Sequence, residues 1–242
     1  MLPEKPWRAE AVMQFCAAQF ACLCLGAFTV GLLHKLGLRG FTRDESFGNV
    51  LVGTLSFQGA TWLLIWLFLR QHQMGWREAF GFRGPALKRA LLTAVGFILV
   101  VLPVVLLLQW VCVNTLEKFG QPAGDQAAVK LLTTAKSEWT IVYLGVFAVV
   151  IAPVAEEFIF RGMLFPFVKQ LGFPRLAWMG VSFLFALIHL NAPTFVPLFT
   201  LALALTWLYE KTGNLLAPIT AHALFNAVNL ALLLWQIHHP PA

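Results

Sequence analysis

The stretch "APVAEEFIFR", residues 152–161, decides how this chain is read. It is mostly apolar, yet Glu156 and Glu157 stand side by side, and Arg161 follows one helical turn later. The sixteen residues before Glu156, "TIVYLGVFAVVIAPVA" from Thr140 to Ala155, carry no charge. Apolar sequence resumes at once with "FIF" and "GMLFPFV". A pair that only marked a helix exit at lipid headgroups would not be followed by more apolar chain. Ionisable groups inside hydrocarbon cost roughly 2.5–3.5 kcal/mol each on insertion scales and mark function by default.

Composition supports a membrane setting. The chain has 242 residues, 59% hydrophobic and 12% charged, with mean hydropathy +0.76. Globular chains carry about a quarter charged residues. A bilayer core about 30 Å thick needs roughly 20 apolar residues per helix. Runs of that kind lie at 11–33, 49–69, 90–113 and 139–155, with shorter pieces at 158–168, 176–190, 195–209 and 215–237. The fold class expected is therefore all-α: a polytopic membrane protein, a bundle of about eight transmembrane helices in one membrane domain over 1–242. The first run lies behind a mixed-charge tail and has no clear small-residue cleavage site, so it reads as a retained helix rather than a signal peptide. Cys16, Cys22, Cys24 and Cys112 sit inside apolar runs without metal spacing and read as buried small hydrophobes. The tail "HHPPA" has no lipidation motif.

The net charge of +6 fits membrane topology rather than nucleic-acid binding, because the basic residues sit in loops. Arg70, Arg77, Arg83, Lys88 and Arg89 fall between the second and third runs, and with Lys5 and Arg8 make seven on one side. The other loops hold Lys35, Arg39 and Arg43, then Lys118, Lys130 and Lys136. This bias puts the N-terminus in the cytoplasm. The fourth helix then runs inward, with its glutamates expected at its cytoplasmic end.

Glu157 and Arg161 are spaced i,i+4, which suits a buried ion pair. Glu156 lies about 100° around the helix and is left to face a cavity, as a positioned general base requires. Of six histidines, His189 ("SFLFALIHL") and His222 ("HALFNAVN") lie in apolar helices. Asn226 and Asn229 share the stripe of His222. Taken singly, each histidine is most often a hydrogen-bonded core residue. Together these buried polar groups satisfy one another best by converging.

Three motifs now stand in order: E-E-x-x-x-R in "EEFIFR", F-x-x-x-H in "FALIH" and H-x-x-x-N in "HALFN". In this order, inside membrane helices, they resemble the CAAX-protease and bacteriocin-processing family of intramembrane proteases, which includes prenyl-protein endopeptidases. The resemblance covers about 137–232, a catalytic region behind the N-terminal helices of 1–136. It implies a helical bundle around a polar cavity open to the cytosol, and peptide-bond hydrolysis. By position, Glu156 is implied as the base that activates water and His189 as its holder. His222 and Asn226 become donors to the oxyanion, with Glu157 and Arg161 as a structural pair. The family implies no tightly bound metal in its glutamate-dependent branch. A zinc ion held by Glu156, His189 and His222 is the alternative. The implied partners are the lipid bilayer and a membrane-associated peptide or protein, either prenylated and CAAX-like or of the bacteriocin type. The implied location is a bacterial plasma membrane. A transporter or a partner-binding immunity protein, built on the same polar cluster, is the competing class. The cavity is expected to open on the side of Arg77, Arg83 and Lys88.

Overall fold

The computed structural model describes residues 4–38, 40–41, 46–82, 84–120, 127–135 and 137–239. Arg39, Arg43, Arg83 and Lys136 of the loop reading lie outside them. The described residues form helices and no strands: α1 (Ala9–Lys35), α2 (Phe47–Gln71), α3 (Trp76–Phe80), α4 (Gly84–Lys118), α5 (Ala127–Thr134), α6 (Glu138–Gln170), α7 (Pro174–Leu187), α8 (Ala192–Thr212) and α9 (Leu216–His238). Six of these, α1, α2, α4, α6, α8 and α9, are long and apolar enough to cross a membrane. The protein is a polytopic all-α membrane protein.

The separate pieces at 139–155 and 158–168 are one helix, α6, of 33 residues. Its glutamates therefore sit near its middle, with Glu156 the nineteenth of those 33 residues, and not at a cytoplasmic end. The helix survives two internal prolines by widening before each. Turns of π type span Phe147–Ile151, ahead of Pro153, and Phe158–Leu164, ahead of Pro166. Proline offers no N–H and crowds the carbonyl four residues back, and a widened turn relieves that clash. The carbonyls it orphans find other donors. The Gly162 carbonyl, four residues before Pro166, accepts from Trp7 Nε1 at 3.2 Å. In α2 a third wide turn, Leu55–Gly59, is served by the buried Gln19 of α1, whose Nε2 donates to the Ser56 and Phe57 carbonyls at 3.4 and 3.2 Å.

One end of the bundle is stitched by polar contacts. Lys5 Nζ donates to the Ala79 carbonyl at 2.7 Å, and Gln170 Nε2 to the Trp7 carbonyl at 3.0 Å. Lys169 pairs with Glu210 at 2.6 Å. Leu215 N donates to the Phe80 carbonyl at 2.9 Å. That close crossing falls between Gly81 (φ 77) and Gly213 (φ 60), both in the left-handed conformation that glycine adopts without strain. This end carries Lys5, Arg8, Arg70, Arg77, Lys88, Arg89 and Lys211, and is called the basic end here. Directly inside it, Phe80, Met163, Leu205, Leu208, Tyr209 and Leu215 are fully buried. The opposite end holds the C-terminal end of α4, α5 and the start of α6, where Tyr143 donates to Thr54 Oγ1 at 2.9 Å. The most enclosed span is α8, half buried over its most apolar stretch, against 11% for α1. The outer faces expose large apolar side chains such as Phe20, Phe28, Leu99 and Val100, as lipid contact requires.

Candidate active site

Glu156, His189, His222 and Asn226 line one cavity of about 380 Å³. Three elements bring them there: the middle of α6, the turn that ends α7, and the first half of α9. Because α6 runs toward the basic end and α9 away from it, the two helices are antiparallel. Glu156 and His222 meet inside both helices rather than at their ends.

Glu157 points the other way, into protein. Its side chain and that of Arg161 are fully buried and pair through Arg161 Nη1 and Glu157 Oε1 at 2.8 Å. Arg161 contacts Glu157 as the i,i+4 spacing predicts. It also ties α6 to α8, with Nε to Thr206 Oγ1 at 3.3 Å and Nη2 to the Ala202 carbonyl at 3.0 Å. Its guanidinium carbon stacks 4.7 Å from the centre of the Phe185 ring of α7. One arginine thus joins three helices.

The spacing did not reveal a second bond of Glu157. The same Oε1 accepts from His222 Nδ1 at 2.9 Å. A carboxylate can only accept, so the proton sits on Nδ1, and Nε2 is the edge turned to the cavity. Nε2 lies 3.9 Å from Glu156 Oε2, too long for a direct hydrogen bond and within reach of a bridging water. His189 repeats the pattern. Its Nδ1 donates to the Phe185 carbonyl at 2.7 Å, which leaves its Nε2 edge free. The helix that carries His189 ends just before it, and Leu190 follows with φ 48, a costly backbone conformation for leucine.

Asn226 is held by the first widened turn. There Ala152 N–H reaches back five residues to the Phe147 carbonyl. In the same register the Ala148 carbonyl would look to residue 153, and Pro153 has no hydrogen to give. Asn226 Nδ2 fills that place at 2.8 Å. Pro153 thereby fixes the register of α9 against α6, and one N–H of Asn226 is spent doing so. Asn229 Nδ2 donates within its own helix, to the Phe225 carbonyl at 2.8 Å, and also lines the cavity.

One expectation is corrected. The cavity does not open toward Arg77 and Lys88. It extends from Glu156 to Gln109 and Val113 near the end of α4, to Val129 of α5 and to Asn229, all toward the opposite end. Toward the basic end the site is closed by the Glu157–Arg161 pair and the buried layer beneath it. The zinc set of Glu156, His189 and His222 finds no support in the geometry. Among the described residues no three His, Cys, Asp or Glu side chains are grouped so as to hold a metal ion.

Gln109 was missed from the sequence. It is a carboxamide inside the apolar run 90–113, and the argument applied to the glutamates applied to it as well. A second cavity of about 540 Å³ adjoins the first and shares Gln109, Val113, Val129, Ala148, Asn226 and Asn229 with it.

Residues 138–228 match the family model described as type II CAAX prenyl endopeptidase Rce1-like. No curated protein and no solved structure matches the chain. The matched segment opens with α6 and ends in α9, and so contains Glu156, Glu157, Arg161, His189, His222 and Asn226. A buried carboxylate, two histidines with matched free edges and an asparagine on one cavity, in a bundle with six apolar spans, agree with that match: over residues 138–228 the chain is similar to the Rce1-like type II CAAX prenyl endopeptidase family.

Proposed function

We propose that this protein is an intramembrane endopeptidase in which Glu156 activates water without a metal ion. The observation that carries this reading is the meeting of Glu156 with the Nε2 edges of His189 and His222 on one cavity. A water between Glu156 and His189 gives one hydrogen bond to each. Glu156 takes its proton as the oxygen attacks the scissile carbonyl carbon. The oxyanion forms against His222 Nε2 and the remaining N–H of Asn226. Donation from Nε2 calls for a ring protonated on both nitrogens. Glu157, already paired with Arg161, accepts from Nδ1 and orients that ring, while the ring's charge is balanced by Glu156 before the attack and by the oxyanion after it. Glu156 then passes its proton to the leaving amine, and the C–N bond breaks. Every atom taken from water ends in the new carboxylate or the new amine.

The substrate is a membrane-associated peptide. The CAAX-like class with a prenylated cysteine is put first, on the strength of the family, with bacteriocin-type peptides second. The protein belongs in a bacterial plasma membrane with its basic end in the cytoplasm, by the charge bias.

The test uses purified full-length protein in detergent with two internally quenched CAAX-type peptides, one farnesylated and one not. Wild type should cleave, and Glu156→Gln should lose at least a thousandfold in kcat with an unchanged circular dichroism spectrum. Near-wild-type cleavage by Glu156→Gln would refute the assignment. Equal cleavage of both peptides would remove prenylation from the reading while leaving the base in place.

A further inference from the structure

We infer that the segment Lys5–Arg8 is a strap that sets the register of α6 at the site, and that Trp7 is a positioning residue for Glu157 and, through it, for His222. Trp7 lies outside the matched residues 138–228. The inference rests on the peptidase reading for its effect on turnover, but not for the strap itself.

The first observation is how the strap is held. It precedes α1, and Arg8 has extended backbone, with φ −73 and ψ 134. Extended chain outside a sheet must find other partners for its N–H and C=O groups. Gln170, the last residue of α6, takes both: its Oε1 accepts from Lys5 N at 3.3 Å, and its Nε2 donates to the Trp7 carbonyl at 3.0 Å. Lys5 Nζ reaches the Ala79 carbonyl of α3 at 2.7 Å. Arg8 N donates to His72 Nε2 at 3.4 Å, just past the end of α2. The buried Trp7 ring stands edge to face with Phe68 and His72, its centre 5.0 and 5.5 Å from theirs. The strap thus joins α2, α3 and α6.

The second is where its one indole donor goes. Trp7 Nε1 donates to the Gly162 carbonyl at 3.2 Å, next to Arg161 and inside the wide turn Phe158–Leu164. Pro166 withholds the N–H that would take this carbonyl back into the helix. Trp7 supplies a donor from outside, and the two together hold the turn open. A wide turn carries one residue more than an α turn. Closing it would rotate Glu156 and Glu157 by about 100° against the rest of α6.

The third is what Gly162 touches. A Cβ there would stand 2.9 Å from the Phe80 ring and 3.5 Å from the Leu215 side chain. Leu215 caps the start of α9, and its N–H is bonded to the Phe80 carbonyl at 2.9 Å. Gly162 is therefore a joint between α6, α3 and α9. Glu157 lies five residues before Gly162, and His222 seven after Leu215. Both lie on the same side of the joint, away from the basic end. The joint sets how far α9 is advanced against α6, and the 2.9 Å bond between Glu157 Oε1 and His222 Nδ1 is that register read at the site.

The experiment compares full-length wild type, Trp7→Phe, Gln170→Leu, Pro166→Ala and the Trp7→Phe/Pro166→Ala double variant in detergent. Phenylalanine keeps an aromatic ring against Phe68 and His72 and loses the N–H. Alanine at 166 restores a backbone N–H for the Gly162 carbonyl. Amide exchange is followed by mass spectrometry. Trp7→Phe should speed exchange about threefold to tenfold over 158–170 and 215–222, the worth of one hydrogen bond, and leave 192–205 of α8 within about twofold. Gln170→Leu, which frees the strap, should give the same pattern. In the Pro166→Ala background Trp7→Phe should change exchange less than twofold. A uniform rise across α6, α8 and α9 would mean that Trp7 only stabilises the fold, and overturns the inference. An equal effect in both backgrounds overturns the role of the N–H, and wild-type exchange in Gln170→Leu overturns the strap. The second arm measures cleavage of the farnesylated quenched peptide. Trp7→Phe should lower kcat about threefold to tenfold with KM within about twofold, and an unchanged kcat overturns the positioning role. Exchange requires no activity, so wild type that fails to cleave while the local exchange pattern holds refutes the peptidase reading and leaves the strap in place.

Discussion

Replacing Arg161 by methionine removes the residue that ties α6, α7 and α8 together. The wild-type guanidinium makes a 2.8 Å ion pair with Glu157 and donates to Thr206 and to the Ala202 carbonyl. Methionine fills much of the same space but leaves Glu157 charged and fully buried. Breaking a buried pair by removing one partner costs about 3–5 kcal/mol, because the other charge is left uncompensated. In a chain of this size that is a fall of roughly 6–20 °C in Tm. Glu157→Gln leaves Arg161 as the uncompensated buried charge and should cost a similar amount, although glutamine can still accept from His222 Nδ1. The double variant Glu157→Gln/Arg161→Met buries no unpaired charge, and should be more stable than the sum of the single losses predicts, by up to ~3 kcal/mol. The assay is unfolding in mixed detergent micelles followed by circular dichroism, for wild type, both single variants and the double. Arg161→Met within about 1 kcal/mol of wild type would refute the reasoning. Additive losses would refute it too, because they would mean that the two charges do not see each other.

Three further outcomes are expected. Glu157→Gln, which keeps Glu156 and the cavity walls, should lower kcat about tenfold or more on the farnesylated peptide through the orientation and charge of the His222 ring, and an unchanged kcat would count against Glu157 as its holder. Gly81→Ala should destabilise by at least about 2 kcal/mol, since its φ of 77 suits glycine and a Cβ there meets the Gly213 carbonyl; a thermal melt equal to wild type would contradict it. Pure active protein should carry well under one zinc per chain by elemental analysis and keep its activity in chelator, whereas one zinc lost together with activity would overturn the glutamate mechanism.

Much of the architecture was legible because each long span satisfies its own backbone and declares itself by apolar length. The runs at 11–33, 49–69 and 90–113 fall inside α1, α2 and α4. The break seen between 155 and 158 came from reading two glutamates as a boundary. The helix passes through them because Glu157 is neutralised by Arg161 and both are shielded by α7, α8 and α9. The i,i+4 contact of Glu157 with Arg161 was legible for the same local reason: spacing along one helix fixes which side chains share a face.

What the sequence determined by itself is therefore what one helix can determine alone: the apolar spans, the separation of Glu156 from Glu157 around α6, and the order of the three motifs. The tertiary structure decided the rest. That Glu157 holds His222, that Asn226 replaces the hydrogen Pro153 lacks, and that Gln109 faces the same cavity are relations between helices, set by tilt and packing rather than by any period in the chain. The direction of the cavity belongs with them. It depends on which end of the bundle is filled by Met163, Leu208, Tyr209 and Leu215, residues no more apolar in sequence than those that leave the other end open.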